Sequence, residues 1–216
     1  MPTPEQEILE LLRKEFRGIF EGLAINTGAV DALFKKVTDA YRAEERVYHT
    51  LDHIEHLLSF LKSQQSEIKD RRAVQLAAWF HDAIYDTKAN DNEEQSAQLA
   101  RSELKQLGLS EEIISHVERL VRATAKHRVI ESDDDSAVFL DGDLSILGAD
   151  DKEYDEYAAK IRQEYSWVPD EQYREGRKRI LENFVARPRI YYTGSAHANL
   201  GARARNNLQR EIERLK

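Results

Sequence analysis

The sequence predicts an all-α protein that forms one helical domain. Apolar residues recur at intervals of three and four along most of the chain, which is the spacing of one face of an α-helix. Gly and Pro, the residues that interrupt helices, number only 9 and 4 among 216 residues. No alternating strand pattern and no internal repeat is present. A chain of this length buries a substantial core without covalent crosslinks, so we expect a single domain over residues 1–216.

Capping residues indicate where several of the helices begin. Thr3 is predicted as the N-cap of the first helix, with Pro4 at its first position. Asp91 and Glu94 have the spacing of a capping box, in which each side chain binds a free backbone amide at the helix start. Ser110, followed by two Glu residues, predicts a further start. Each of these signals precedes apolar residues at helical spacing.

The order of elements follows from these signals and from the apolar stripes. The predicted helices cover about residues 4–19, 30–43, 50–61, 74–84, 91–108, 110–121, 137–147, 151–165, 170–185 and 196–215. The acidic stretch 128–136 is predicted as a loop. Gly148 is expected to end the short helix that precedes it.

Composition excludes several classes of protein. Without Cys, the chain has no disulfide, no thiolate zinc site and no Cys nucleophile, as is typical of a reducing cytosol. The N-terminal residues do not form a signal peptide and no apolar run has the length of a membrane span, so we expect a cytoplasmic protein without membrane contact. The net charge of −8 disfavours an extended nucleic-acid surface. Neither a Walker phosphate loop nor a Gly-x-Ser-x-Gly motif is present.

Three short segments contain most of the residue types that bind metals and activate water. They are Tyr48–His53 with His49 and His53, Phe80–Asp82 with His81 and Asp82, and Leu140–Asp143 with Asp141 and Asp143. Mixed sets of His and Asp bind divalent ions that hold a water and a phosphate together. The sequence therefore predicts a metal-dependent phosphohydrolase.

The first two segments also have other interpretations. His81 lies on the apolar face of its predicted helix, and an isolated His there is typically buried and satisfied by one hydrogen bond. The adjacent Asp82 favours a metal instead, because a carboxylate at the edge of a core is costly without a cation or a partner. His49 either shares a helix face with His53, or precedes the helix and leans over the group that His53 binds.

The third segment places two carboxylates between apolar residues. One of Asp141 and Asp143 can serve as a helix cap or pair with an Arg. A ligand role for at least one of them is favoured over a structural role for both.

These segments, in this order on an all-α framework, resemble the HD-domain superfamily of metal-dependent phosphohydrolases. More narrowly, the chain resembles a bacterial group of predicted HD phosphohydrolases from about Tyr48 to the C-terminus. The matching stretches are Tyr48-His49 with His53, Trp79–Asp86, Asp91–Glu94 with Ser96-Ala97, Phe139–Leu144 with Leu147-Gly148, residues 161–165 and residues 204–208. The resemblance implies an HD-type helical bundle, with a motif core over about 48–148 and C-terminal helices 151–216 packed on it.

The resemblance also implies a set of metal ligands. They fall on His53, His81, Asp82 and Asp143, where Asp143 is preferred over Asp141 because the superfamily's ligand is usually the later Asp of Asp-x-Asp. Two imidazoles and two carboxylates suit Mn, Mg, Fe, Co, Ni or Zn rather than copper(I). Four protein ligands leave about two positions of an octahedral shell for a water and a phosphoryl oxygen. Asp82 is then close enough to orient or deprotonate that water.

The spacing of His49 and His53 implies different roles for the two residues. Cyclic-nucleotide phosphodiesterases share the Tyr-His-x-x-x-His spacing, in which the second His binds metal and the first donates a proton to the leaving group. His49 is therefore implied as a general acid. The extra pair of metal-binding His residues found in binuclear members has no clear counterpart here, although His127 is one candidate, so we expect a single ion.

Several cationic residues are candidates for binding the phosphate of a substrate. They are Lys126, His127, Arg128, Arg162 and Arg205. The alternative for each Arg is a solvated or helix-capping role.

Three functions are compatible with these patterns. The first is hydrolysis of a phosphate ester of a nucleotide or other small phosphorylated metabolite through a metal-bound water. The second is a non-catalytic metal- or nucleotide-binding sensor that uses the same pocket. The third is a helical oligomerisation module in which the His and Asp residues are incidental. A homo-oligomer is compatible with all three, and the expected partner of the first is a small phosphorylated substrate.

Overall fold

The computed structural model describes residues 4–216, and this part of the chain folds into helices without any strand. The helices are α1 Pro4–Ile19, α2 Thr27–Tyr41, α3 Leu51–Ser63, α4 Arg71–Phe80, α5 Asn92–Gln106, α6 Glu111–Thr124, α7 Asp134–Asp143, α8 Asp151–Glu164, α9 Asp170–Val185 and α10 Gly194–Arg214, with a 3₁₀ turn at Ser145–Gly148. The prediction of an all-α fold is confirmed. None of the described helices has both the length and the apolar character needed to span a membrane.

Two groups of buried apolar side chains hold the helices together. The first group involves α1 to α7 and includes Phe16, Phe34 and Trp79, whose rings meet at centroid distances between 5.1 and 5.7 Å. The second group packs the 3₁₀ turn against α8, α9 and α10. Phe60 of α3 packs against both groups, so apolar packing continues from one to the other. The limits 48–148 and 151–216 proposed for a core and its C-terminal helices stay predictions.

Helix α4 ends earlier than the apolar pattern predicted, at Phe80 rather than near residue 84. The hydroxyl of Tyr41 donates to the carbonyl of Trp79 and accepts from the amide of Asp82, so it takes the place of a helical hydrogen bond. Arg46 then donates to the carbonyls of Asp82 and Ala83. These two side chains, which are distant in sequence, therefore form hydrogen bonds with the backbone groups at the end of the helix.

The acidic stretch before α7 is partly helical, so the predicted loop 128–136 was wrong at its end. Asp133 caps α7, which begins at Asp134. Asp135 is buried and accepts hydrogen bonds from the amides of Lys69 and Asp70 at the start of α4. The acidic residues therefore bind helix N-termini, where negative charge is favourable.

The structure also corrects the predicted start of α2 and the predicted capping of α5. Helix α2 begins at Thr27 because Asn26 caps it, three residues before the predicted start. Asp91 is the N-cap residue of α5 as predicted, but the capping box was wrong: the Asp91 side chain accepts from Gln95 instead of a backbone amide, and Glu94 pairs with Arg122. Thr3, the predicted cap of α1, lies outside the described residues.

Gly142 allows α7 to approach α3 closely. A methyl group added at this residue would lie 2.7 Å from Leu57 Cδ1 and 2.9 Å from Phe60 Cδ1, both on α3. These distances are shorter than normal van der Waals contact. The close approach brings the end of α7 next to the first turn of α3.

Candidate metal centre

Four predicted ligands come from three neighbouring elements. His53 lies in the first turn of α3, Asp143 is the last residue of α7, and His81 and Asp82 lie in the turn that follows α4. The side chains of His53 and His81 are buried, while those of Asp143 and Asp82 are 10% and 15% exposed. The structure thus brings together all four residues.

The donor atoms of these residues lie at distances suited to one shared ion. His53 Nε2 lies 3.0 Å from His81 Nε2, and Asp143 Oδ1 lies 3.4 and 3.5 Å from these two nitrogens. Asp82 Oδ2 lies 3.0 Å from His81 Nε2 and 3.8 Å from His53 Nε2. Ligands about 2.1 Å from a common ion are separated by about 3.0 Å in an octahedron and about 3.4 Å in a tetrahedron. His53, His81 and Asp143 therefore form a group that could hold a divalent ion, and Asp82 lies beside this group.

The hydrogen bonds of the two His residues differ. His81 Nδ1 donates to the carbonyl of Ala78 at 2.9 Å, which leaves Nε2 as the nitrogen that faces the other donors. The Nδ1 atom of His53 is buried and has no hydrogen-bond partner among the described residues. Its ring packs against Tyr48 at a centroid distance of 5.2 Å. On its Nδ1 side, packing rather than a hydrogen bond therefore orients His53.

The electrostatics of the centre favour ionised carboxylates. Burial would raise the pKa of Asp82, but the charge and hydrogen bond of His81 hold that pKa well below its usual value. Burial would also raise the pKa of Asp143. Hydrogen bonds from His127, His53 and His81 instead keep this pKa far below its usual value. Two anionic carboxylates in a partly buried site are stabilised by a nearby positive charge, which the protonated His81 ring or a bound cation can supply.

The two imidazoles are affected in opposite ways. Burial lowers the pKa of His53. Burial also opposes protonation of His81, but the charges of Asp82 and Asp143 outweigh it and raise the pKa of that ring.

Asp141 is turned away from this centre. Its two carboxylate oxygens accept hydrogen bonds of 2.7 Å from the amides of Tyr192 and Thr193. Thr193 is the N-cap of α10, so Asp141 binds the start of that helix. The geometry places Asp143, rather than Asp141, among the candidate ligands.

His49 precedes α3 and lines the same cavity as His53, so the two do not share a helix face. Its Nδ1 lies 2.8 Å from Oε2 of Glu164, whose side chain is fully buried. Nδ1 is thereby engaged, and Nε2 is the nitrogen left for the cavity. This is the second of the two arrangements considered for His49.

Glu164 was not identified from the sequence as a site residue. Its Oε1 accepts hydrogen bonds from three consecutive backbone amides, those of Val47, Tyr48 and His49, at 2.8 to 2.9 Å. Its Oε2 also accepts from the hydroxyl of Tyr85 at 3.1 Å. The one available signal was the position of Glu164 within residues 161–165, a stretch on which the expected family resemblance partly rested.

The predicted phosphate-binding residues are mostly outside the cavity. Arg162 donates to the carbonyls of Tyr165 and Val168, and Arg205 donates to the carbonyls of Val185 and Arg187. These are the helix-capping roles considered as alternatives for both.

Within the cluster at residues 126–128, only His127 lines the cavity. Lys126 and Arg128 are exposed and do not line the cavity. His127 does line it, and its Nε2 lies 3.0 Å from Oδ2 of Asp143. The backbone of His127 has a φ of 44°, in the left-handed region, and its carbonyl accepts from Arg187 and Tyr192. These contacts hold His127 beside Asp143.

The cavity beside the centre has a volume of about 380 Å³. Three of the four candidate ligands, His53, Asp82 and Asp143, line it together with His49 and His127, and residues of α8 and α9 line it as well. Its size is typical of a pocket for a small molecule. Comparison of the chain with models of known families, with curated proteins and with solved structures finds no match.

Proposed function

We propose that the protein is a metal-dependent phosphohydrolase that cleaves a phosphate ester of a nucleotide or other small phosphorylated metabolite. One observation carries this proposal: the donor atoms of His53, His81, Asp82 and Asp143 converge beside a cavity that His49 also lines. Two imidazoles and two carboxylates suit a divalent ion such as Mn, Mg, Fe, Co, Ni or Zn.

The residues have separate roles in this reaction. A divalent ion bound by the four residues would supply an activated water and positive charge for the phosphoryl oxygens. Asp82 has an exposed edge in the cavity, where its carboxylate can orient a water or accept its proton. His81 and His53 hold the centre together from the buried side.

His49 is the general acid of the proposal. Since Glu164 engages Nδ1, the protonated ring presents its second N–H, at Nε2, to the cavity. Transfer of that proton to the ester oxygen lets the P–O bond break and the leaving group depart as an alcohol. The ring is then neutral and still donates its Nδ1–H to Glu164, which keeps its orientation for the next cycle.

The proposal is tested by measuring metal content and phosphate release in parallel. The protein is stripped of metal, reloaded with Mn²⁺, Mg²⁺, Fe²⁺, Co²⁺, Ni²⁺ or Zn²⁺, and assayed on a panel of phosphate esters and nucleotides. Asp82→Ala is expected to lose most of the bound metal and nearly all activity, since the ion and the water both lose a partner. Asp52→Ala, an exposed position on α3 next to His53, is the matched control and should retain both.

Two results would contradict the proposal. Full metal occupancy in Asp82→Ala would remove that residue from the centre. Binding of metal by the wild type without turnover of any ester would favour the sensor over the enzyme.

A further inference from the structure

The cavity extends well beyond the candidate metal centre, along one face of α9. Tyr173, Gly176, Ile180 and Phe184 all line it, at helical spacings of three and four residues. A stripe of this spacing over three turns forms one continuous wall. The wall is therefore longer than a phosphate group alone would need.

The rest of the lining is also rich in rings. Tyr48, Tyr85, Tyr157 and Tyr165 come from the segment before α3, the turn after α4, and α8 with its C-cap. Tyr48 and Tyr157 contact each other edge to face at a centroid distance of 4.7 Å. Aromatic faces and apolar side chains bind flat, uncharged groups through burial of apolar surface.

Positive charge is scarce in the lining. Among the described residues that line the cavity, Arg177 is the one Lys or Arg side chain, whereas Asp82, Glu93 and Asp143 supply three carboxylates. Arg177 is buried and bound by Glu211 through two hydrogen bonds of 2.8 and 3.1 Å. Its guanidinium group is therefore already engaged.

This charge balance favours a ligand with one phosphate group over a ligand with several. A divalent ion at the centre would offset the charge of Asp82 and Asp143 and attract a single phosphoryl group. A polyphosphate chain needs further Lys or Arg partners, which the lining does not offer.

The wall also contains free space and exposed apolar surface. A methyl group added at Gly176 would meet no atom within 4 Å. Ile180, one turn further along α9, is 52% exposed although it lines the cavity. An apolar ligand would cover Ile180 and fill the space beside Gly176.

We infer that the cavity binds a phosphomonoester whose organic part is an uncharged ring system, packed against α9, and that it discriminates against polyphosphates and against small polar esters. The inference of a phosphate group rests on the proposed function, whereas the inference of a ring system rests on the residues that line the cavity. A nucleoside and a simple aryl group share the required chemistry.

The inference is tested by titration calorimetry on the Mn²⁺-loaded and the metal-free protein. The probes are adenosine 5′-monophosphate, ATP, 1-naphthyl phosphate and glycerol 3-phosphate, and phosphate release is measured on the same samples. We expect at least one ring-bearing monophosphate to bind ten times or more tighter than glycerol 3-phosphate, with ATP no tighter than adenosine 5′-monophosphate.

Two variants connect this preference to α9. Gly176→Leu should weaken the preferred ring-bearing ligand at least tenfold, because the new side chain occupies the space that the ring would fill. Gly18→Leu is the matched control, since Gly18 is also helical, also has no atom within 4 Å of an added methyl group, and lies on α1 outside this cavity. Ile180→Ser changes an exposed residue, so folding is preserved, and should weaken the same ligand severalfold.

The outcomes distinguish a nucleoside from a simple aryl group, and they test the ligand class separately from the proposed reaction. Binding of 1-naphthyl phosphate with weak binding of adenosine 5′-monophosphate indicates a non-nucleoside ester, and equal binding of both extends the inference to nucleotides. Equal affinity for glycerol 3-phosphate, tighter binding of ATP, or an unchanged affinity in Gly176→Leu overturns the inference. Tight binding of ring-bearing ligands without any phosphate release refutes the proposed reaction and leaves the ligand class intact.

Discussion

Glu164 binds His49 at two points, although the two residues are 115 positions apart in sequence. Oε2 lies 2.8 Å from Nδ1 of the imidazole, and Oε1 accepts the backbone amide of the same residue at 2.9 Å. The last residue of α8 therefore fixes both the backbone and the ring of His49. In the proposed reaction, this makes Glu164 a positioning residue for the general acid.

The first prediction concerns the positioning of His49. Glu164→Gln keeps one acceptor oxygen but replaces the other with an amide group, which cannot accept the Nδ1–H of His49. We expect kcat to fall about tenfold to a hundredfold, as is typical for partners that orient reactive groups, with KM and metal content little changed. The measurement is steady-state kinetics on alkyl and aryl esters. A purely structural role for Glu164 would slow both ester types equally, whereas positioning of an acid slows the alkyl ester more.

The second prediction concerns acid stability. Burial would raise the pKa of Glu164, but its hydrogen bonds and charge interaction with His49 outweigh burial and lower it from 4.5 to about 2. The folded state therefore binds this proton less tightly than the unfolded state, so the stabilisation is complete above about pH 4.5 and is lost as the pH falls toward 2. Urea unfolding of the wild type and Glu164→Gln at pH 7, 4 and 3 should give curves that converge on acidification.

A matched control for this experiment is Glu94→Gln. The pKa of Glu94 is also lowered to about 2, by hydrogen bonds from Arg122 and Gln98, but its side chain is 46% exposed. Solvent screening makes such a surface pair weak, so its removal should change the pH dependence less. An equal effect of the two substitutions would contradict the special position of Glu164.

Much of the fold follows from local signals in the sequence. The apolar spacing identifies all ten helices of the described chain, and Ser110 caps α6 through its side chain as predicted. The end of α4 could not be predicted in this way, because the apolar pattern continues to Tyr85. The hydroxyl of Tyr41 and the guanidinium of Arg46 end that helix, and their contacts depend on tertiary structure.

The same distinction applies to the candidate site. His53, His81, Asp82 and Asp143 were identified from motifs, and the structure brings them together. Glu164 could not be assigned a role, because its partners lie 79 to 117 residues away and a Glu at a helix end is typically exposed.

The third prediction separates the two carboxylates of α7. Asp143→Asn should lose most of the bound metal, because Asp143 faces the candidate centre. Asp141→Asn should retain metal and lose about 1–3 kcal/mol of stability, since an amide group would face one of the two backbone amides that Asp141 now accepts. Elemental analysis and urea unfolding measure the two effects. The reverse pattern would assign the ligand role to Asp141.

The fourth prediction concerns the proton that His49 supplies. His49 lines the cavity without contacting the four candidate ligands through a hydrogen bond, and its engaged Nδ1 leaves only Nε2 for chemistry. His49→Ala should therefore retain the metal and slow hydrolysis. For an ester with a poor alkoxide leaving group, the loss should be on the order of 10²–10⁴-fold, the range typical of general acid catalysis. For an activated aryl phosphate, the loss should be much smaller, because that leaving group departs without a proton.

Kinetics on the two substrates, together with metal analysis, distinguish three roles for His49. A larger loss on the alkyl ester with full metal content identifies the general acid. Equal losses on both substrates with full metal content would instead mean that His49 only positions the substrate. Loss of the metal would make His49 a ligand, and His53, whose Nδ1 has no partner among the described residues, would then need a different role. His56→Ala is the control, because His56 lies on α3 three residues beyond His53, outside the cavity, and bonds Ser145.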